Sequence, residues 1–327
     1  MVAEQTHIAH QCYGAATTIE RRFDVVALGE AMVEFNQTDA GQPHYLQGFG
    51  GDTSNAVIAA ARAGARSAYL TRVGDDAFGQ ALLQVWAREG VDASAVEVAR
   101  AEPTGIYFVT HAHSGHAFSY RRAGSAASRM TPHWLHAGPA ADAVRSARIL
   151  HLSGITLALS PEACDTAFAA MHLARASATL VSFDANLRPQ LWPLDAARSA
   201  IERAVALSDI FLPSLDDMQA LCGLDDENRI IDWGHARGAA AVVLKLGALG
   251  ALVSDGSSRL RLEGHRVELR DGTGAGDCFC GNLLARMVQG DSIFQAAGYA
   301  NAAAALAVQG FGAVAPLPRP PAVRALL

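Results

Sequence analysis

The 327-residue chain predicts an α/β fold with a mainly parallel central sheet, helices on both of its faces, and a small β-sheet beside it. Three observations predict this. Short apolar runs of β-forming residues alternate with helical patterns along most of the length, the rhythm of βαβ units. Two stretches, 33–48 and 104–122, break that rhythm with extended, partly polar sequence. A glycine-rich run from Asp271 to Cys280 then opens a helix, as a phosphate-holding turn does.

In order, 24–29 (Asp-Val-Val-Ala-Leu-Gly) reads as the first strand. A helix over about 53–63 follows Gly50-Gly51 and is stopped by Gly64 as a C-cap. Residues 65–73 read as one strand, and 76–89 as a helix ended by Gly90. After a strand at 149–152, Ser160-Pro161-Glu162 starts a helix with a capping hydroxyl and proline in the first turn. Residues 178–184, 209–212 and 241–246 are short buried strands separated by helical sequence, and 296–308 is an alanine-rich helix. The proline-rich run 316–321 reads as an extended terminus.

The stretches 33–48 and 104–122, the second carrying Ile106-Tyr107-Phe108-Val109 and Phe118-Ser119-Tyr120, read as ribbons that pair into a small sheet. Such a sheet would lie over a binding crevice as a lid and exclude water. It would serve equally as an edge extension or as the interface of a homo-oligomer. The domain organisation is then a loose, disordered tail over 1–22 and one domain over 23–320, with the lid strands inserted in it.

Half the residues are hydrophobic and the net charge is −6, with a pI near 6.0. That balance speaks against nucleic acid or an anionic membrane as partner and for a small soluble substrate. No apolar run reaches the roughly 18 residues a bilayer span needs. The first 22 residues lack the apolar core of a secretory signal. Five scattered cysteines form no Cys-x-x-Cys pair, which fits reduced thiols and a cytoplasmic location. Cys278 and Cys280 read as packing residues. His111, His113 and His116 cluster without a nearby carboxylate and read as a polar hairpin tip rather than a metal site.

The run Asp-Gly-Thr-Gly-Ala-Gly-Asp (271–277) carries the chemistry. Glycines let successive backbone N–H groups converge on one point, where the positive end of the following helix also aims. Asp277, in the first helical turn, would reach a hydroxyl held beside the anion. An anion cradle with a base attached suits phosphoryl transfer to an alcohol.

From about residue 24 to 318 the chain resembles the ribokinase-like carbohydrate kinases. Gly50-Gly51-Asp52-Thr53-Ser54-Asn55 is similar to their di-glycine substrate motif, Val73-Gly74-Asp75-Asp76-Ala77-Phe78-Gly79 to the loop before a helix, and Gly-Thr-Gly-Ala-Gly-Asp to the catalytic signature. The resemblance implies a ribokinase-like three-layer α/β/α fold with a β-sheet lid. Tyr120-Arg121-Arg122 and Asp184-Ala185-Asn186-Leu187-Arg188-Pro189 look like the branch that phosphorylates 2-keto-3-deoxygluconate. For that branch it implies Gly51, Asn55, Tyr107, Tyr120, Arg122 and Arg188 as substrate residues. Two arginines independently favour an acidic substrate, since a planar guanidinium clamps a carboxylate at two points.

On the nucleotide side the resemblance implies ATP and Mg²⁺ and leaves room for a monovalent cation such as K⁺. Ser214-Leu215-Asp216-Asp217 stands where the family carries Asn-x-x-Glu, so Asp217 would approach the metal indirectly. Ser214, Lys245, Gly247, Gly250, Thr273, Gly274, Gly276 and Asn301 are the implied nucleotide contacts. Asp277 is the implied base, with the backbone of Gly274, Ala275 and Gly276 beside it as anion hole. Glu34 keeps a fructose, ribose or 5-dehydro-2-deoxygluconate kinase open, because ribose-type members place a carboxylate five residues after the strand glycine. A non-catalytic sugar-binding regulator on the same fold is the more distant alternative.

Overall fold

The computed structural model describes residues 21–112 and 115–327, the side chains of 112, 115 and 116 excepted. Cys12, His113, the His116 side chain and all but the end of the expected tail lie outside these. Arg21 and Arg22 belong to the fold instead. Arg21 donates to the backbone oxygens of Arg145, Ala147, Ser177 and Ala178 and to Thr179 Oγ1, and Arg22 pairs with Asp92 at 3.0 Å.

Nine strands form the main sheet. Their order is Arg259–Leu262, Ala251–Ser254, Ala241–Lys245, Ile210–Phe211, Leu180–Asp184, Ala147–Ser153, Phe23–Leu28, Ser67–Leu70 and Val91–Asp92. All neighbours run parallel except in the last hairpin, where Ala251–Ser254 is antiparallel to both its neighbours. Parallel strands covered on both faces need apolar side chains on both, and Val25 and Val26 show this. Val25 packs in a cluster with Ala56, Leu283 and Ala296 on one face, Val26 in another with Phe168, Met171 and Ile201 on the other. Helices Asp52–Arg62, Ala275–Val288 and Ile293–Ala307 supply the first layer, and Pro161–Ala176, Leu194–Ala206 and Glu227–Ala236 belong to the second.

Local chemistry explains the ends. Asp76 caps Ala77–Glu89 by accepting from Gly79 N at 2.8 Å, and Gly90 ends it in the left-handed region. Ser160 caps Pro161–Ala176 through Ala163 N. Two expectations need correction. The single strand expected over 65–73 is two, because the chain leaves the main sheet at Thr71: Arg72–Gly74 pairs instead with Glu97–Ala99 in a separate two-stranded sheet. The terminus is not wholly extended, since Pro320–Leu326 is a helix. Pro320 and Pro321 occupy its first turn, where the missing N–H costs nothing, and Val323 is buried.

The two rhythm-breaking stretches do pair. Tyr45–Gly50, Met32–Gln37, Gly105–Ala112 and Gly115–Arg121 form a four-stranded sheet in that order, with antiparallel outer pairs and a parallel central one. Its register sets Glu34, Tyr107 and Tyr120 abreast on one face.

Candidate active site

The chain winds from Phe23–Leu28 first to one side of the sheet and later to the other, so a crevice opens at the carboxyl ends of the central strands. A cleft of about 1000 Å³ lies there, walled by the lid residues Tyr107, Phe118, Tyr120 and Arg122. Its floor comes from residues at or just past the strand ends, including Glu30, Asp184, Asn186, Arg188, Ser214 and Lys245, and from the run 272–277.

That run is held from behind by Asp271. Its Oδ1 accepts from Thr273 N at 2.9 Å and Thr273 Oγ1 at 2.6 Å, and its Oδ2 from Gly312 N at 2.9 Å. Gly274, at φ +77°, then caps the helix Ala275–Val288; a Cβ there would lie 3.0 Å from that of Ala313. The amide of Ala275 donates to Gly272 O at 3.2 Å. The Ala275 amide is thereby engaged, whereas the amides of Gly276 and Asp277, in the first helical turn, have no earlier helical carbonyl to bond.

Asp277 accepts a hydrogen bond from Asn55 Nδ2 at 2.8 Å. The helix of Asn55 approaches this closely because Gly281, one turn beyond Asp277, presses on it: a Cβ at Gly281 would lie 2.0 Å from Ala56 O. Burial, then the charge of Asp52, pushes the Asp277 carboxyl up to about 7, against the pull of Asn55 and Lys245. A carboxylate titrating near neutrality is poised as a general base. Asn55 Oδ1 is buried without a protein partner, an acceptor that a ligand hydroxyl would satisfy.

Lys245, expected on phosphate, donates instead to Asp184 Oδ2 at 2.6 Å. Burial opposes its charge, but Asp184, Cys280 and Asp217 more than offset this and hold it above the ordinary lysine range. It remains close to the cradle, 3.6 Å from where a Cβ of Gly276 would stand. Asp217 Oδ1 accepts from Leu187 N, and burial followed by the Asp184 charge raises its carboxyl. Ser214 caps its helix by accepting from Asp217 N at 3.1 Å. Gly247, Thr273 and Gly276 line the cleft. Gly250 and Asn301 do not line it: Gly250 packs against Leu262 O, and Asn301 donates to Glu263 O at 2.8 Å, tying down the chain ahead of the cradle.

Of the substrate candidates, Gly51, Asn55, Tyr107, Tyr120, Arg122 and Arg188 all line the cleft. Tyr107 donates to Glu34 Oε2 at 2.5 Å. Glu34 is itself 2% exposed, so its carboxylate is spent inside the lid. Arg122 is ion-paired with buried Glu30. Arg188 donates only to Leu187 O among the described residues; it makes no close ion pair, though its charge acts on Asp52 and Asp217. Sequence reasoning missed Glu30, Asp52, Phe118 and Asp184 as site residues. Glu30 and Asp184 stand at the carboxyl ends of parallel strands, the position that marks such residues.

A family model described as pfkB family carbohydrate kinase matches residues 22–320. The chain is similar to the 2-dehydro-3-deoxygluconokinase of Thermoproteus tenax, 37% identical over 97% of this chain and 98% of that protein. It is also similar to fructokinase-2 of Solanum habrochaites, 32% identical over 82% and 83%. A crystal structure of a putative ribokinase II from Escherichia coli, in complex with ATP and Mg²⁺, matches with a TM-score of 0.85 at 26% identity, covering 93% of this chain and 98% of that one.

Proposed function

The chain belongs to the pfkB family of carbohydrate kinases, phosphotransferases acting on sugar hydroxyls, and on that premise we propose that it phosphorylates a sugar acid, 2-keto-3-deoxygluconate, at its primary hydroxyl with ATP. The observation that carries the choice of an acid is Arg188, a cation in the cleft that the charges of Asp52 and Asp217 reach but that makes no ion pair within 4 Å among the described residues. A neutral sugar has no use for it, whereas a carboxylate does. The name of the Thermoproteus tenax relative, the chemical synonym of this activity, supports the same reading. The fructokinase relative keeps a neutral hexose as the competitor. Glu34 does little for that competitor, since Tyr107 already occupies it.

In the proposed reaction Asp277 accepts the proton of the primary hydroxyl as that oxygen attacks the γ-phosphorus in line, and ADP leaves. Asn55 orients the base through Nδ2 and offers Oδ1 to the substrate. The amides of Gly276 and Asp277, with Lys245 beside them, hold the charge that develops on the transferred group. A magnesium ion arriving with the nucleotide suits the donor set here, because the Asp184 and Asp217 carboxylates act on each other, with the charges of Lys245 and Arg188 beside them. Asp217 would hold it through water, and the ion would neutralise phosphate charge.

ADP release measured over a panel of 2-keto-3-deoxygluconate, fructose, ribose and 5-dehydro-2-deoxygluconate tests the proposal. A specificity constant highest for the 2-keto-3-deoxy acid is expected; preference for fructose or ribose would refute it.

A further inference from the structure

The Arg122 guanidinium cannot meet a ligand with all of its edges. Its Nε donates to Glu30 Oε2 at 2.7 Å and its Nη2 lies 2.5 Å from the same oxygen, while Ser125 Oγ donates to Oε1. Glu30 is 1% exposed and follows the central strand Phe23–Leu28, so the sheet fixes its place. Arg122 and Ser125 follow the last lid strand, Gly115–Arg121. One buried carboxylate therefore pins the point where the lid rejoins the core and offsets the charge of one of the two cleft arginines. Nε and Nη2 are thus both turned to Glu30, and Nη1 makes no hydrogen bond among the described residues where Arg122 lines the cleft.

We propose that Glu30 is a positioning residue that determines specificity. It holds the side edge of Arg122, turns the remaining donors to the substrate, and cancels the arginine's charge, so that Arg122 reads hydrogen-bonding pattern while Arg188 alone supplies net charge for an anionic substrate. The inference rests on the sugar-acid reading above. It has an unexpected corollary: removing the acid at Glu30 strengthens discrimination in favour of acids.

Glu30→Gln preserves the shape, because its carbonyl oxygen can accept from Arg122 and its amide can donate to Ser125 Oγ. KM and kcat are measured for 2-keto-3-deoxygluconate and for neutral D-fructose with the wild type, Glu30→Gln, and the double variant Glu30→Gln/Arg122→Gln. In Glu30→Gln the acid-to-neutral ratio of kcat/KM should rise about tenfold, through the KM of the acid, because an uncancelled charge now faces the cleft. The double variant removes the ion pair as a unit, and its ratio should stay within about threefold of the wild type. An unchanged or lower ratio in Glu30→Gln, with both substrates affected alike, overturns the proposal and leaves Glu30 a structural peg. A collapse of the ratio in the double variant overturns it too, and that arm stands even if the single variant does not fold. A wild type that prefers fructose would sink the sugar-acid reading, whereas the change in ratio between proteins still reports on Glu30.

Discussion

Replacing Gly281 with alanine, at a position that touches no ligand, should disable the base. The added Cβ would stand 2.0 Å from Ala56 O and 2.8 Å from Ala59 Cβ, where ordinary contact begins at 3.4 Å. The two helices must therefore part by about 1 Å, an overpacking that costs about 1–3 kcal/mol. Asn55 precedes Ala56, and its 2.8 Å bond to Asp277 lengthens with the same displacement to about 4 Å, beyond hydrogen-bonding reach. A misplacement of about 1 Å at the reacting groups costs about a hundredfold in turnover. Gly281→Ala should thus lose stability in urea unfolding and about a hundredfold in kcat, with the KM for ATP little changed. A variant with wild-type kcat and a stability loss below about 0.5 kcal/mol would refute the claim that this helix contact sets the catalytic geometry.

Asp277→Asn should keep the fold and lower kcat by about a thousandfold or more. Because the folded carboxyl titrates near 7 rather than at 3.8, wild-type kcat/KM should climb as pH rises through about 7. Its ionised form opposes folding, with no penalty below about pH 4 and the full penalty above pH 7, so Asp277→Asn should melt higher than wild type at pH 8 and alike at pH 4. Arg188→Gln should raise the KM for 2-keto-3-deoxygluconate about tenfold or more and leave fructose kinetics nearly untouched, as steady-state assays of both would show. Lys245→Met strands the buried Asp184 carboxylate; denaturant unfolding should report a loss of about 3–5 kcal/mol, and kcat should fall with it.

What could be read from the sequence was what is written locally. The cradle at 271–277, the caps at Ser160 and Gly90, and the lid strands all follow from residue type and spacing over a few positions. The site's ion pairs do not. Glu30 and Arg122 are 92 residues apart and Asp184 and Lys245 are 61 apart, so no periodicity links them. The resemblance implied Lys245 as a phosphate contact, but not the buried aspartate that holds it beside the cradle. The resemblance likewise implied Asn301 as a nucleotide neighbour, and its amide is bonded to the backbone carbonyl of Glu263, 38 residues earlier. Gly281 carried no signal at all, because its importance depends on which helix packs against it.

The proposed reaction requires one cleft to set a sugar acid's carboxylate against Arg188 and its primary hydroxyl against Asp277. A crystal structure with 2-keto-3-deoxygluconate and a non-hydrolysable ATP analogue measures both distances at once. The carboxylate should lie about 3 Å from Arg188, and the primary hydroxyl about 3 Å from Asp277 and on line with the γ-phosphate. A substrate bound with its carboxylate in solvent, or with another hydroxyl at Asp277, would contradict it.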